Sequence, residues 1–346
     1  MLTETSPATL KDVAALAGVS QATASRAING SERNVKPELR DRVIAAAKRL
    51  NYKANVQAQA MARGHGNNIG LVVHDIADPY FATIAAGAMK AADEFGSLVN
   101  IGSTWRMPER EIDYLEYFRS QRGRGVIFAG SRIDDPKLIE TLKKEILLFQ
   151  ADGGKVVVIS QQKLDVDTVV IENRNASKKL ASQLIALGYR NFAILAGPQI
   201  LLTARDRTSG FKEGLKSAYL KPVHVIHGNF DREGGFDAMV TLLKSKKKVD
   251  LVFAVNDVMA VGAMTAAREH GIDIRAEIGF AGFDDIETLR DVHPGLTTVR
   301  LPLFEIGAIA VNMILDNEKS EKIKLVKIQG EVVIRESTPS RNKTKP

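Results

Sequence analysis

The chain has 346 residues, too many for one small domain and enough for two or three. Hydrophobic residues make up 45% and cysteine is absent, so the protein is globular, and disulfides, thiolate metal sites and thiol nucleophiles are excluded. Of the formal net charge of +7, most sits in residues 1–66, where ten Lys/Arg face five Asp/Glu. A concentrated positive end of this kind suits phosphate neutralisation and salt-dependent binding. The opening run Met-Leu-Thr-Glu-Thr-Ser-Pro has neither a basic n-region nor an apolar h-region. No stretch approaches the roughly 18 apolar residues of a membrane span. A cytoplasmic protein with no membrane partner is therefore expected.

From Thr9 the pattern predicts two short helices around a tight turn. Leu10, Val13, Ala14 and Ala17 share one face of the first, and Thr9 with Asp12 forms a capping box. Gly18 stops that helix, and Ser20 caps a second over Gln21 to Ile28. In the second, Ala24 and Ile28 can pack inward, leaving Gln21, Ala22, Ser25 and Arg26 outside. This is helix-turn-helix geometry, in which the second helix carries base-reading side chains into the major groove. An ordinary helical hairpin of a small core has the same spacing, and a merely soluble basic face is common but rarely coincides with a helix-turn-helix. A third helix is expected from about Pro37 to Leu50, with Leu39, Val43, Ile44, Ala47 and Leu50 as its apolar stripe. Lys36 stands at its start, where Pro37 in the first turn is acceptable. The alanine- and glutamine-rich run Val56 to Arg63 follows.

The run LKDVAALAGVSQATASRAINGS…RVIAAAKRLNYKANVQAQAMARG closely resembles the head-piece of the lactose-repressor/galactose-repressor (LacI/GalR) family of bacterial transcription regulators. The resemblance continues to Ile334-Arg335-Glu336-Ser337-Thr338, through essentially the whole chain. It implies an all-α helix-turn-helix head-piece (1–54), a hinge helix and linker (55–66), and a periplasmic-binding-protein-like α/β core. The core would consist of two doubly wound parallel-sheet subdomains, 67–160 with 301–327 and 161–300 with 328–340, before a short tail (341–346). The chain would cross between them near Ser160, near Thr297 to Leu301 and near Ile328. Double-stranded operator DNA is the implied partner, bound by a homodimer, since one helix-turn-helix covers only half a palindromic site. The tail carries no leucine heptads for tetramer formation. Gln21 and Ala22 would face bases together with Arg26, which suits guanine as Gln suits adenine. Thr9, Ser20, Thr23, Ser25 and Asn29 would hold phosphates or cap the helices that do. The hinge, Asn55 to Arg63, would enter the minor groove. Methionine stands at Met61 where relatives have leucine, and alanine at Ala54 where they have proline. An apolar Met61 can still wedge between base steps, with Ala58 and Ala62 letting two hinge helices approach.

Beyond Asn67 the pattern changes to short apolar runs separated by helical stretches. Ile69 to Val73, Val99 to Ile101, Gly125 to Phe128, Val156 to Ile159, Phe192 to Leu195, Val223 to Ile226, Leu251 to Ala254 and Ile278 to Ala281 read as strands of parallel sheets. Ligands of such sheets sit beyond the carboxyl ends of the strands. Those loops contribute Asp78, Tyr80 and Phe81, then Thr203 and Arg207, Phe230, Asn256 and Asp284. Asp78-Pro79-Tyr80-Phe81 resembles the aromatic loop of ribose-type sugar-binding proteins, although a Tyr-Phe pair at a helix start is equally at home in a core. In the family pattern Arg207, Asn256 and Asp284 hold a sugar's hydroxyls, which a forked donor, an amide and a carboxylate can do. Ser160 and Ile171 stand where relatives line the pocket. Aspartate after a strand is also a common helix cap.

An aromatic face with this polar set suits a neutral, hydroxyl-rich effector, ribose or a ribonucleoside, better than a phosphate or a bare base. No phosphate loop, nucleophile elbow or zinc helix occurs, so no enzyme, cofactor or metal is expected. His224 and His227 are three apart on an expected strand and point to opposite faces. A periplasmic solute-binding protein is the competing reading of the core, and the head-piece argues against it.

Overall fold

The computed structural model describes residues 8–29, 35–53, 66–316 and 322–342. Two compact units emerge, residues 1–66 and 67–346. In the first, α1 (Leu10–Ala17), α2 (Gln21–Asn29) and α3 (Pro37–Arg49) enclose a small core of Val13, Ala14, Ala17, Ala24, Ala27, Val43 and Ala46. The Thr9 backbone N–H donates to Asp12 Oδ2 at 2.8 Å, while Thr9 Oγ1 accepts from the Asp12 N–H. Gly18 ends α1 with φ 63°, where its N–H reaches Ala14 and Ala15 carbonyls. Ser20 Oγ accepts the Thr23 N–H at 3.1 Å and starts α2. The α3 stripe differs from expectation: Ile44 is exposed, and Ala46 takes the buried position beside Val43. A core of this size is filled by alanines, and one turn of α3 leaves its larger side chain outside. Pro37 begins α3 after Lys36, which makes no side-chain cap.

The second unit contains two parallel sheets. Strands β1 (Asn68–Val73), β2 (Leu98–Ser103), β3 (Gly125–Ala129), β4 (Lys155–Ser160), β5 (Asp167–Ile171) and β11 (Leu325–Ile328) form the first, in the order β11-β5-β4-β3-β1-β2. The second has β6 (Phe192–Ala196), β7 (His224–His227), β8 (Leu251–Ala254) and β9 (Gly279–Ala281), in the order β7-β6-β8-β9. All pairings within both sheets are parallel. An antiparallel ribbon of β10 (Thr298–Arg300) and β12 (Glu331–Val333) lies where the chain passes between halves. Helices cover the sheets: α4 (Pro79–Glu94), α5 (Arg110–Ser120), α6 (Pro136–Ala151) and α11 (Leu303–Leu315) with the first, α7 (Asn173–Ala186), α8 (Leu202–Lys216), α9 (Arg232–Lys244) and α10 (Asp257–Glu269) with the second. β3, β6 and β8 are buried throughout, as expected of sheets covered on both faces.

One boundary moves. The chain does not leave the first half near Ser160, because β5 returns to pair with β4, Val157 opposite Asp167 and Ser160 opposite Val170. The new strand slides back by only a few rungs, so six residues suffice where a parallel connection ordinarily needs a helix. The crossing follows Ile171 instead. α11 packs along α4 at two glycines: a Cβ on Gly87 would meet the Phe304 carbonyl oxygen at 1.9 Å, and one on Gly307 the Ile84 oxygen at 2.0 Å. The halves also touch far from the crossings. Leu202 N–H donates to the Arg132 carbonyl at 3.0 Å and Asp134 N–H to that of Ile200 at 3.2 Å, a two-rung antiparallel bridge.

Candidate functional site

Both sheets place β1 or β6 beside a strand on either hand, so each has a switch point where connections diverge, β1/β3 and β6/β8. Loops part there and leave a crevice at the strand ends. All the candidate effector residues line one cavity in that region: Asp78, Tyr80 and Phe81 after β1, Ser160 at the end of β4 and Ile171 at the end of β5. Thr203 and Arg207, four apart on α8, line it from the other half with Phe230, Asn256 and Asp284. His74, Arg106, Ser131 and Asn173 also line it and were not anticipated, although each lies at or just beyond a strand's carboxyl end. The strand-end rule applied to β1, β2, β3 and β5 reaches all four.

Arg207 is the centre. It is 2% exposed, and its Nε donates to Asn173 Oδ1 at 2.8 Å and its Nη1 to the Val255 carbonyl at 2.8 Å. Nη1 and Nη2 grip the Asp284 carboxylate at 3.2 and 2.7 Å, and the guanidinium lies 3.9 Å over the Phe283 ring. Arg207 and Asp284, expected to hold a ligand's hydroxyls, are thus each other's main partner in this structure. Asp284 is held with φ 120°, a backbone conformation that costs an ordinary residue about 1–3 kcal/mol. Its N–H donates to Val299 and its carbonyl accepts from Leu301, so the backbone is fixed from both sides. Burial raises the Asp284 carboxyl, while the Arg207 guanidinium gripping both its oxygens pulls it back down. Asp257 behind it is raised to about 6 by burial, although Thr298 Oγ1 and the Ile286 N–H both donate to it.

Two candidates double as helix caps. Asp78 Oδ1 accepts from the Tyr80 N–H at 3.0 Å and Asn256 Oδ1 from Met259 at 2.9 Å. Burial raises the Asp78 carboxyl. The hydroxyls of Ser160 and Thr203 are both engaged by Gln161, at 2.6 and 3.0 Å, and the Thr203 N–H donates to Ser131 Oγ. Phe81 is a core residue that reaches the cavity edge, stacked edge-on against Tyr80 with ring centroids 4.9 Å apart. Tyr80 and Phe230 are half-buried and supply the available aromatic surface. Burial and the Arg132 and Arg106 guanidinia hold His74 down at about 3, so it is neutral at physiological pH. Arg106 and Arg207 balance Asp78 and Asp284, and the lining carries no net charge. The free volume is about 30 Å³, room for about one water.

In the head unit, Ser20, Gln21, Ala22 and Arg26 are exposed on or just before α2. The Thr23 hydroxyl shares a 2.8 Å hydrogen bond with Ser20, and the Thr9 hydroxyl donates to Asp12 Oδ2, so both serve local caps. Ser25 is half-buried. The Asn29 side chain, with Asn55, Ala58, Met61 and Ala62, lies outside the described residues.

Among the described residues no helix is long and apolar enough to cross a membrane. The family model "Bacterial regulatory proteins, lacI family" matches residues 9–55, and "Periplasmic binding proteins and sugar binding domain of LacI family" matches 66–336. A curated relative, the HTH-type transcriptional repressor PurR of Klebsiella pneumoniae (strain 342), is 31% identical over 336 residues, 95% of this chain and 96% of its own. The lac repressor dimer bound to operator and the anti-inducer ONPF superimposes with TM-score 0.82 and 26% identity, over 96% of this chain and all of that one. A complex of the transcriptional regulator CelR with cellobiose gives TM-score 0.70 and 28% identity, over 95% and 99%. These relatives are regulators rather than enzymes. With both family models in order and the relatives matched end to end, the chain belongs to the LacI family and is a DNA-binding transcriptional repressor with an effector-binding domain.

Proposed function

We propose that this repressor works in the cytoplasm as a homodimer on a palindromic operator, and that a neutral, hydroxyl-rich effector, ribose or a ribonucleoside, releases it. The observation that carries the effector class is the buried, charge-balanced cluster of Arg207, Asn173 and Asp284, flanked by the half-buried rings of Tyr80 and Phe230. A ligand hydroxyl can both donate to Asp284 and accept from Arg207, sharing their bonds without adding charge, whereas a phosphate would have to expel the carboxylate. Cellobiose in CelR is a neutral sugar of the same chemistry.

The two cleft halves give the effector its lever. An effector changes operator affinity only by its preference for one closure over another. A coupling of about 2.7 kcal/mol corresponds to a hundredfold change. The dimer reading is supported by β2, an edge strand that exposes Leu98 and Ile101, with Phe95 and Met89 nearby. An uncovered apolar edge invites pairing, and a second copy covers it. Met89 on α4 and Phe95 just after it are left exposed, whereas Ile84, Ala88 and Ala92 of the same helix are buried. Gln21, Ala22 and Arg26 are assigned to the bases, with the α2 amino end and its neighbours on phosphates. Asn55 to Arg63 are assigned to the hinge, and Met61 to the minor-groove wedge.

The test is an operator-binding titration with the full chain, with and without a panel of sugars and nucleosides. Weaker operator binding with at least one is expected. No effect from any of them refutes the effector class, and a monomer in sedimentation at operator-binding concentrations refutes the dimer.

A further inference from the structure

The turn between α1 and α2 is tied down from the third helix of the head unit. α1 ends at Ala17 with no basic residue in its last turn, and Gly18 follows with φ 63°. The carboxyl end of a helix carries carbonyls without helical partners and a partial negative charge, which a cation satisfies. Arg42 on α3 supplies one, because its Nη2 donates to the Ala17 carbonyl across 25 residues of chain. A Cβ on Gly18 would come within 2.8 Å of that same nitrogen, so the guanidinium lies against the turn itself. Glu38 stands four residues before Arg42, the spacing of a favourable ion pair along a helix, yet the Arg42 fork is turned towards α1.

The packing of the head leaves work for a directional bond. Five of its seven buried core residues are alanine, and methyl groups interdigitate too little to fix a crossing angle sharply. The Thr9–Asp12 and Ser20–Thr23 bonds each close within one helix start. Arg42 instead joins α3 to the point from which α2 departs. The nine residues of α2 make a rod of about 13 Å, so a tilt of about 10° at the turn moves its far end by about 2 Å. Paired hydrogen bonds from Arg or Gln to one base edge do not survive a shift of that size.

We infer that Arg42 is a positioning residue for DNA reading. By holding the carboxyl end of α1 it sets the angle at which α2 presents Gln21, Ala22 and Arg26, and it contacts no base itself. This rests on the assignment of α2 to the bases above and deepens it. Attraction to phosphates is long-ranged and tolerates a small tilt, so Arg42 governs discrimination between sequences rather than general grip on DNA.

The full chain is used to select its preferred duplex from randomised DNA. Binding to that duplex and to a random-sequence duplex of equal length is then titrated across salt concentrations. Arg42→Met is expected to bind the selected duplex about tenfold more weakly and the random duplex within about twofold, with the salt slope unchanged. Arg42→Lys keeps the charge and a donor without the planar fork, and its loss is expected to be about threefold on the selected duplex alone. Selection repeated with Arg42→Met is expected to return the same bases with weaker preference at several positions. Circular dichroism on heating shows whether each variant is folded, and Arg42→Lys decides if Arg42→Met is not. Equal losses on both duplexes, with the salt slope reduced by about one, overturn the inference by making Arg42 a phosphate contact. A loss confined to one base position overturns it by making Arg42 a base contact, and unchanged affinity for the selected duplex overturns it outright. All three leave the assignment of α2 to the bases standing. If the unsubstituted chain selects no preferred sequence, that assignment falls, and the inference with it.

Discussion

Asp284→Ala asks how much the Arg207–Asp284 pair holds the cleft together. The substitution removes the acceptor of both terminal nitrogens of a guanidinium that is 2% exposed. Asn173 and the Val255 carbonyl remain, but neither carries charge, and Nη2 loses its acceptor in the pair. Breaking a buried ion pair from one side costs about 3–5 kcal/mol. Asp284→Gly should cost about 1 kcal/mol less, since relief of the φ 120° strain exceeds glycine's entropic penalty only modestly. Arg207→Met combined with Asp284→Ala removes both charges and should recover most of the loss, because apolar replacement of such pairs is often near neutral. The assay is urea unfolding of the full chain followed by circular dichroism, with the four variants compared in a double-mutant cycle. A loss under about 1 kcal/mol for Asp284→Ala, or a double variant whose loss equals the sum of the singles, refutes the reasoning.

Three further outcomes are expected. Arg26→Ala should lower specific operator affinity by about 1–3 kcal/mol and relax one base position, whereas an equal loss on random DNA in a binding titration would leave Arg26 a phosphate contact only. Asp257 is raised to about 6, so the folded state favours its protonated form. Its stabilising contribution is complete below pH 4 and is lost as pH rises through 6, by about 3 kcal/mol in all. Asp257→Asn should flatten that interval in unfolding measurements across pH, and an unchanged slope would assign it to another group. Gly307→Ala drives a methyl into the Ile84 carbonyl and should cost about 1–3 kcal/mol by thermal unfolding, where a neutral result would show that α4 and α11 part easily.

Much of this arrangement could be read in the sequence because it depends on local order. Apolar runs mark strands, and ligand residues follow strand ends, so Tyr80, Arg207, Asn256 and Asp284 were found without knowing how the strands pair. The head-piece was legible for the same reason, since caps at Thr9, Gly18 and Ser20 act within a few residues. What could not be read depends on long-range partners. β5 is bounded by Asp167 and disguised by Thr168, and only its place beside β4 makes it a strand. Nothing near Arg207 in the chain says that its fork is filled by residues 34, 48 and 77 positions away. Gln161 is equally silent, a polar residue in a short connection until Thr203 and Asp206 are brought to it.

The bridge between Ile133 and Leu201 is made of peptide groups alone. Any residue other than proline supplies them, so this contact between the halves is indifferent to side-chain identity. Side chains lining the cavity can change one by one while these two peptide rungs between the halves remain available.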